Sequence, residues 1–108
     1  MDEQITLDYG SGGQKTADLI QSILLPAFDN PALAELGDGA VLAGGPKLIF
    51  STDSFVVSPW EFPGGDIGKL AVCGTVNDIA MCGGEAKYLI LSLIIEEGLE
   101  RSALSRIL

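Results

Sequence analysis

Acidic side chains that stand beside small or polar residues are the groups in this sequence best suited to chemistry. Asp38, Asp53, Asp66 and Asp78 each adjoin Gly, Ser, Thr or Asn at the edge of an apolar segment. The sequence has no histidine, so within it neither a histidine-dependent triad nor an imidazole zinc site is possible. Carboxylate oxygens suit Mg²⁺ and Ca²⁺, and Mg²⁺ commonly links one or two carboxylates to nucleotide phosphates. The pattern therefore indicates an oxygen-only site for a divalent metal.

Structural roles compete with metal binding at two of these positions. Asp66 begins a predicted helix, where a capping role would suffice to explain it. Asp38 lies between two glycines and is equally typical of a turn. Asp53 and Asp78 lie in apolar segments, where an ionised carboxylate removed from water costs several kcal/mol unless it is paired or bound to metal. Asp53 and Asp78 are therefore the stronger site candidates.

A glycine-rich segment, Gly10-Ser11-Gly12-Gly13, precedes a predicted amphipathic helix over residues 15–25 that Pro26 should end. A helix start offers free N–H groups and the positive end of the helix dipole, and Lys15 adds a charge there. The Walker pattern is not matched, because Tyr9 and Gln14 stand where its glycines belong. From these residues alone, both a phosphate cradle and a flexible loop before a helix stay open.

The elements expected to position these residues follow from apolar spacing. Residues 63–84 predict a buried helix of about four turns, capped by Asp66, with Cys73 and Cys82 as buried thiols on opposite faces. Residues 41–43 and 48–57 predict a hairpin around a Gly-Gly-Pro turn. Residues 87–96 predict a strand that is apolar on both faces, so we expect one face to meet another subunit.

Composition narrows the class of protein. The chain has 108 residues, is 47% hydrophobic and carries a net charge of −9, which argues against general binding to nucleic acid or anionic membranes. Neither a secretory signal nor an apolar run of transmembrane length is visible, so we expect a cytoplasmic protein. Residues 1–108 are expected to form one domain, the first of a longer protein.

Five motifs occur in an order and spacing that resemble a known family: YGSGGQKT, LGDGAVL, FSTDSFVVSP, FPGGDIGKLAVCGTVNDIAM and LIIEEGL. Together they resemble the N-terminal domain of the HypE family of hydrogenase maturation proteins. The wider superfamily includes aminoimidazole ribonucleotide synthetase, selenophosphate synthetase and thiamine-monophosphate kinase. The resemblance covers essentially the whole chain. It implies an α/β (α+β) fold in which a mixed sheet has helices on one face and its strands pair across a homodimer into a barrel.

The resemblance also implies an activity. In that family, ATP and Mg²⁺ support dehydration of a thiocarboxamide on a C-terminal cysteine to a thiocyanate, the source of the cyanide ligand of [NiFe] hydrogenase. The second domain and that cysteine are absent from residues 1–108, so we expect this chain alone to be inactive. The implied partners are a carbamoyltransferase, HypF, and the HypC–HypD complex.

The implied site residues fall into two groups. The implied phosphate-binding residues are Gly10, Ser11, Gly12 and Gly13, with Lys15 beside them. The implied ligands of Mg²⁺ are Asp38, Asp53 and Asp78, supported by Asn77.

Two positions depart from the family pattern. Tyr9 stands where a histidine is usual before the glycine loop, and Ala86 stands where a proline is common. A non-catalytic homodimerisation module is the main alternative function. A related small-molecule kinase or synthetase of the superfamily is another, although the FPGGDIGK stretch speaks against the kinase.

Overall fold

The chain divides into two units in the computed structural model, which describes residues 3–108. Unit 1 contains the described residues up to 43 together with 93–106 and 108. Unit 2 contains residues 44–92 and 107. The glycine-rich loop belongs to unit 1, whereas the long predicted helix belongs to unit 2.

Unit 1 is helical. A 3₁₀ turn over Leu7–Gly10 leads into one continuous helical run, followed later by two separate helices. The run consists of α1 (Gln14–Leu19), a π-helical segment (Ile20–Leu24) and α2 (Leu25–Ala27), and the separate helices are α3 (Pro31–Ala34) and α5 (Arg101–Ile107). The predicted amphipathic helix is thus confirmed.

The predicted end of that helix at Pro26 is wrong by one residue. Proline lacks an N–H but its φ still fits a helical turn, so the run continues to Ala27. The N–H of Phe28 then donates to the carbonyl oxygens of Leu24 and Leu25, at 3.1 and 3.2 Å, which closes the helix.

The core of unit 1 joins the beginning of the chain to its end. Its buried side chains are Ile5, Tyr9, Leu19, Ile23 and Leu104, with Ile95, Leu99 and Leu108 packed against them. The Ile5 N–H donates to the Leu99 carbonyl at 2.7 Å, and the Gly98 N–H donates to the Ile5 carbonyl at 2.8 Å. An isolated antiparallel bridge pairs Gln4 with Glu100. These contacts hold the α1 run and α5 in one packed layer.

Unit 2 is built around α4 (Ile67–Met81), which a short antiparallel hairpin precedes. The hairpin pairs β1 (Glu61–Phe62) with β2 (Gly65–Asp66). The Asp66 carboxylate accepts a hydrogen bond from the Lys69 N–H at 2.9 Å, so the predicted helix and its cap are both confirmed. None of the helices in the described part of the chain combines the length and hydropathy that a membrane span requires.

The predicted burial of this helix is wrong. No residue of α4 is fully buried, and Leu70, Val72 and Val76 are exposed. Cys73 and Cys82 are exposed as well, contrary to the prediction of buried thiols. An apolar pattern predicts which face of a helix can be buried, but burial also requires a neighbouring element that packs against that face.

The predictions of the two longest strands are also wrong, because no sheet hydrogen bonds form there. Residues 41–43, 48–57 and 87–96 form no strand or bridge, and the only sheet within residues 3–108 is the β1–β2 hairpin. Phe50 is 81% exposed and Ile90 is 89% exposed. A strand requires a second strand to take up its N–H and C=O groups, and the described chain provides none for these segments. The predicted barrel stays a prediction.

Candidate functional site

The glycine-rich loop opens directly onto the helical run of unit 1. Gly13 is the N-cap of α1, has extended backbone angles and provides no side-chain cap hydrogen bond. Gly12 has a φ of +83°, a left-handed conformation that residues with a Cβ rarely adopt. The Ser11 hydroxyl donates to the Asp8 carbonyl at 2.8 Å. The loop therefore presents backbone rather than side-chain groups at the beginning of the helix.

Thr16 ties this loop to the helix. Its hydroxyl donates to the Tyr9 carbonyl at 2.7 Å and accepts from the Gly12 N–H at 2.9 Å. Sequence reasoning missed this residue. The available signal was a hydroxyl three residues after a glycine N-cap, the position from which a capping-box side chain reaches back before the helix.

Lys15 lies beside the same loop. Its ammonium nitrogen is 3.6 Å from the Asp8 carboxylate and 5.3 Å from the centroid of the Tyr9 ring. The Arg101 guanidinium is 5.5 Å from that ring centroid, and it donates to the Ser22 hydroxyl at 2.9 Å. The predicted loop residues and Lys15 are thus brought together, and Tyr9 anchors them from the core with its buried ring.

A cleft of about 360 Å³ lies alongside the loop within unit 1. Its lining is mainly apolar, and it includes Gly10 and Thr16 from the loop region and Glu97 from the later part of the unit. The Glu97 carboxylate accepts from the Leu7 N–H at 3.1 Å. The cleft extends the loop region into a concave surface, which is a common form for small-molecule sites.

The predicted metal ligands are divided between the two units. Asp38 belongs to unit 1, whereas Asp53, Asp78 and Asn77 belong to unit 2, and all four side chains are exposed. No group of three or more acidic, cysteine or histidine side chains able to hold a metal occurs among residues 3–108. The inference that Asp53 and Asp78 are shielded from water is wrong. Their assignment as magnesium ligands, with Asp38, stays a prediction.

Local contacts account for two of the acidic residues. Asp66 serves as the N-cap of α4, which confirms the structural alternative for it. The Asp53 carboxylate accepts from the N–H of Ser54 at 2.8 Å, a contact within its own loop. Asp53 therefore remains solvated and available at its other oxygen.

Residues 36–108 match the family described as AIR synthase related protein, N-terminal domain. The chain belongs to this family. The matched residues include all of unit 2, whereas the glycine-rich loop precedes them.

Within this family, the chain is similar to named hydrogenase maturation proteins, and this confirms the resemblance found in the sequence. It is 48% identical to carbamoyl dehydratase HypE of Rhodobacter capsulatus, over 98% of this chain and 32% of that protein. It is 49% identical to carbamoyl dehydratase HypE of Escherichia coli, over 95% of this chain and 32% of that protein. The chain thus spans about a third of the length of these relatives.

A solved structure is similar as well. The crystal structure of hydrogenase maturation protein HypE in complex with ATP matches 72% of this chain and 23% of that chain, at 55% identity. The TM-score of the match is 0.70, so the backbones share one fold. The relatives also include a hydrogenase expression/formation protein, HupE, of Azotobacter chroococcum, which is 42% identical over 95% of this chain and 30% of that protein.

Proposed function

We propose that this chain is the N-terminal, nucleotide-binding part of a carbamoyl dehydratase that acts in [NiFe] hydrogenase maturation. The observation that carries the proposal is the 55% identity to a HypE structure solved with ATP. The names of the two relatives that are 48% and 49% identical over nearly the whole chain support the same activity. Because the chain spans about a third of these relatives, the complete reaction is assigned to the longer protein.

The phosphate end of the nucleotide would bind at the loop before α1. The N-cap Gly13 leaves the beginning of the helix without a side-chain cap, and the positive end of the helix dipole favours an anion there. Lys15 adds a positive charge, although Asp8 at 3.6 Å offsets part of it. These features fit a phosphate group held mainly by backbone N–H groups.

The residues available for Mg²⁺ fit that ion in chemistry, because only oxygen ligands are offered. Asp38, Asp53 and Asp78 are exposed, so their carboxylate oxygens are accessible to a hydrated ion. Mg²⁺ usually keeps several waters and takes one or two carboxylates together with substrate phosphates. We therefore propose that these aspartates, with Asn77 beside Asp78, complete a metal site only when nucleotide phosphates are present.

The proposed chemistry removes water from a thiocarboxamide. The carboxamide oxygen would take a phosphoryl group and depart as phosphate, while the nitrogen loses two protons and a thiocyanate remains. ATP, when bound, would supply that phosphoryl group, and Mg²⁺ would offset charge on the phosphates. The acceptor cysteine is proposed to lie beyond residue 108, because Cys73 lies within α4 and Cys82 directly follows it. Accordingly, we propose that residues 1–108 alone do not catalyse this dehydration.

Calorimetric titration with ATP and Mg²⁺ tests this proposal. The wild-type chain should bind ATP, and Asp78→Asn should weaken binding in the presence of Mg²⁺ while leaving the fold intact. Asp29→Asn is the matched control, because Asp29 is an exposed carboxylate outside the proposed site. A well-folded chain that binds no ATP would contradict nucleotide binding. Equal affinity in the wild type and Asp78→Asn would remove Asp78 from the metal site.

Homodimerisation is a second candidate function, with a specific observation in its favour. Segment 87–94 and most of segment 48–57 are exposed and lack sheet hydrogen bonds, and Ile94 is fully accessible. We propose that these segments pair with a second copy, as the barrel of the family would require. The partners HypF and the HypC–HypD complex belong to the hydrogenase-maturation proposal above.

Sedimentation across a dilution series tests the dimer. We expect association at micromolar concentrations, and we expect Ile90→Lys to weaken it, because a charge would enter an apolar contact. Glu85→Lys is the control, since it places the same side chain at an exposed polar position. A wild type that remains monomeric throughout the series would contradict the dimer.

A further inference from the structure

The Thr16 hydroxyl both donates and accepts a hydrogen bond, and both partners are backbone groups of the preceding segment. It donates to the Tyr9 carbonyl at 2.7 Å and accepts from the Gly12 N–H at 2.9 Å. Thr16 is the third residue of α1, and its contacts reach back past the N-cap Gly13. The hydroxyl therefore closes a ring that contains the last part of the 3₁₀ turn, the loop and the first turn of the helix.

This ring fixes the part of the loop with the greatest conformational freedom. Gly12 has a φ of +83°, and a Cβ added at Gly10 or Gly12 would meet no atom within 4 Å, so side-chain packing does not restrain either residue. The Thr16 hydroxyl holds the Gly12 N–H, and the Asp8 carbonyl holds the Ser11 N–H at 3.2 Å. A loop of this kind loses much backbone entropy when it is ordered, so prior ordering lowers the cost of binding.

The Tyr9 end of this hydrogen-bonded loop is rigid. The Tyr9 side chain is buried in the core of unit 1, against residues that include Leu19 and Leu104. Its ring also lies 5.5 Å from the Arg101 guanidinium. The Tyr9 carbonyl is consequently a fixed point, and the Thr16 hydroxyl transmits that position to Gly12.

We propose that Thr16 is a positioning residue for the phosphate-binding loop, which acts by holding Gly12 in its left-handed conformation before a nucleotide arrives. The inference rests on the proposed function, since it assumes that this loop receives the phosphates. Thr16 sets the affinity for ATP through the loop backbone, and it need not touch the nucleotide.

Two substitutions separate the hydroxyl from the shape of the side chain. Thr16→Val keeps the branched shape but removes the donor and the acceptor, whereas Thr16→Ser keeps the hydroxyl. Ser105→Ala is the matched control, because it removes an exposed hydroxyl of α5 that has no part in the loop. For each variant, ATP affinity is measured by calorimetry with Mg²⁺ present, and exchange of the Gly12 amide is followed by NMR without nucleotide.

We expect Thr16→Val, which removes both hydrogen bonds of the hydroxyl, to weaken ATP binding by about 3- to 10-fold and to accelerate Gly12 amide exchange. Thr16→Ser should restore both values to within about 2-fold of the wild type, and Ser105→Ala should change neither. Faster exchange with unchanged affinity would overturn the positioning role, as would tighter binding by Thr16→Val. A wild type that binds no ATP would instead overturn the proposed function, and this inference with it.

Discussion

Unit 1 and unit 2 differ in how far each one covers its own apolar residues. Within residues 3–108, every fully buried side chain lies in unit 1, and these are Ile5, Tyr9, Leu19, Ile23, Ala103 and Leu104. Unit 2 has none, although its helix α4 is rich in apolar residues. The side chains that pack against the buried residues of unit 1 lie within the described chain, whereas the apolar surface of unit 2 is only partly covered.

This difference bears on function. The unit 1 core holds Tyr9 in place, and Tyr9 in turn holds the loop through Thr16. A loop anchored on a packed core can be ordered before a ligand binds, which favours recognition. The exposed apolar segments of unit 2 are instead suited to assembly, because large contiguous apolar surfaces commonly mark interaction sites.

The largest expected difference between the units comes from opening a cavity in the core of unit 1. Leu104 is 2% exposed, so Leu104→Ala should lower the free energy of unfolding by about 2–5 kcal/mol, through lost burial and the cavity left behind. Val72→Ala in α4 should lower it by less than about 1 kcal/mol, because Val72 is already exposed. Urea unfolding followed by circular dichroism measures both values. Equal losses would contradict the contrast between the units.

A smaller effect should come from a close contact that α4 makes within unit 2. A Cβ added at Gly74 would lie 2.7 Å from the Phe55 ring, so Gly74→Ala must displace that ring. We expect a net loss of about 1–2 kcal/mol in unfolding free energy, after the better helix propensity of alanine is allowed for.

The double variant Gly74→Ala with Phe55→Leu is the control for this contact. The smaller leucine should recover part of the stability lost by Gly74→Ala, because the steric conflict is relieved. If Gly74→Ala stabilised the protein by about 1 kcal/mol, only helix propensity would be acting and the Phe55 contact would be absent.

The smallest expected effect concerns the beginning of α4. Asp66→Ala removes the acceptor for the Lys69 N–H and should cost about 1 kcal/mol of unfolding free energy. Asp66→Asn should retain most of that stability, because its side-chain oxygen can still accept. Thermal unfolding of the two variants compares them. An unchanged melting temperature in Asp66→Ala would show that the cap contributes nothing.

Local signals made much of the fold predictable from the sequence. The Asp66 cap and the apolar spacing after it were sufficient for α4, and apolar spacing also predicted the amphipathic helix over residues 15–25, in which Leu19 and Ile23 are buried. The loop and Lys15 were found because they adjoin one another in sequence. Such features depend on residues within a few positions, which a sequence displays directly.

Features that depend on distant partners were not predictable. The Arg101 guanidinium lies against the Tyr9 ring although the two residues are far apart in the chain, and the neighbouring sequence gives no signal of this contact. Apolar runs over residues 48–57 and 87–96 predicted strands, but whether a strand forms depends on what pairs with it. The exposure of Asp78 depends in the same way on what covers α4.

Amide hydrogen exchange with and without ATP and Mg²⁺ tests the central claim most directly, because it locates the bound nucleotide on the backbone. We expect ATP to slow exchange at residues 10–16, which form the loop and the first turn of α1, with smaller changes near Asp53 and Asp78. Slower exchange confined to unit 2, with the loop unchanged, would contradict the assignment of the loop as the phosphate site.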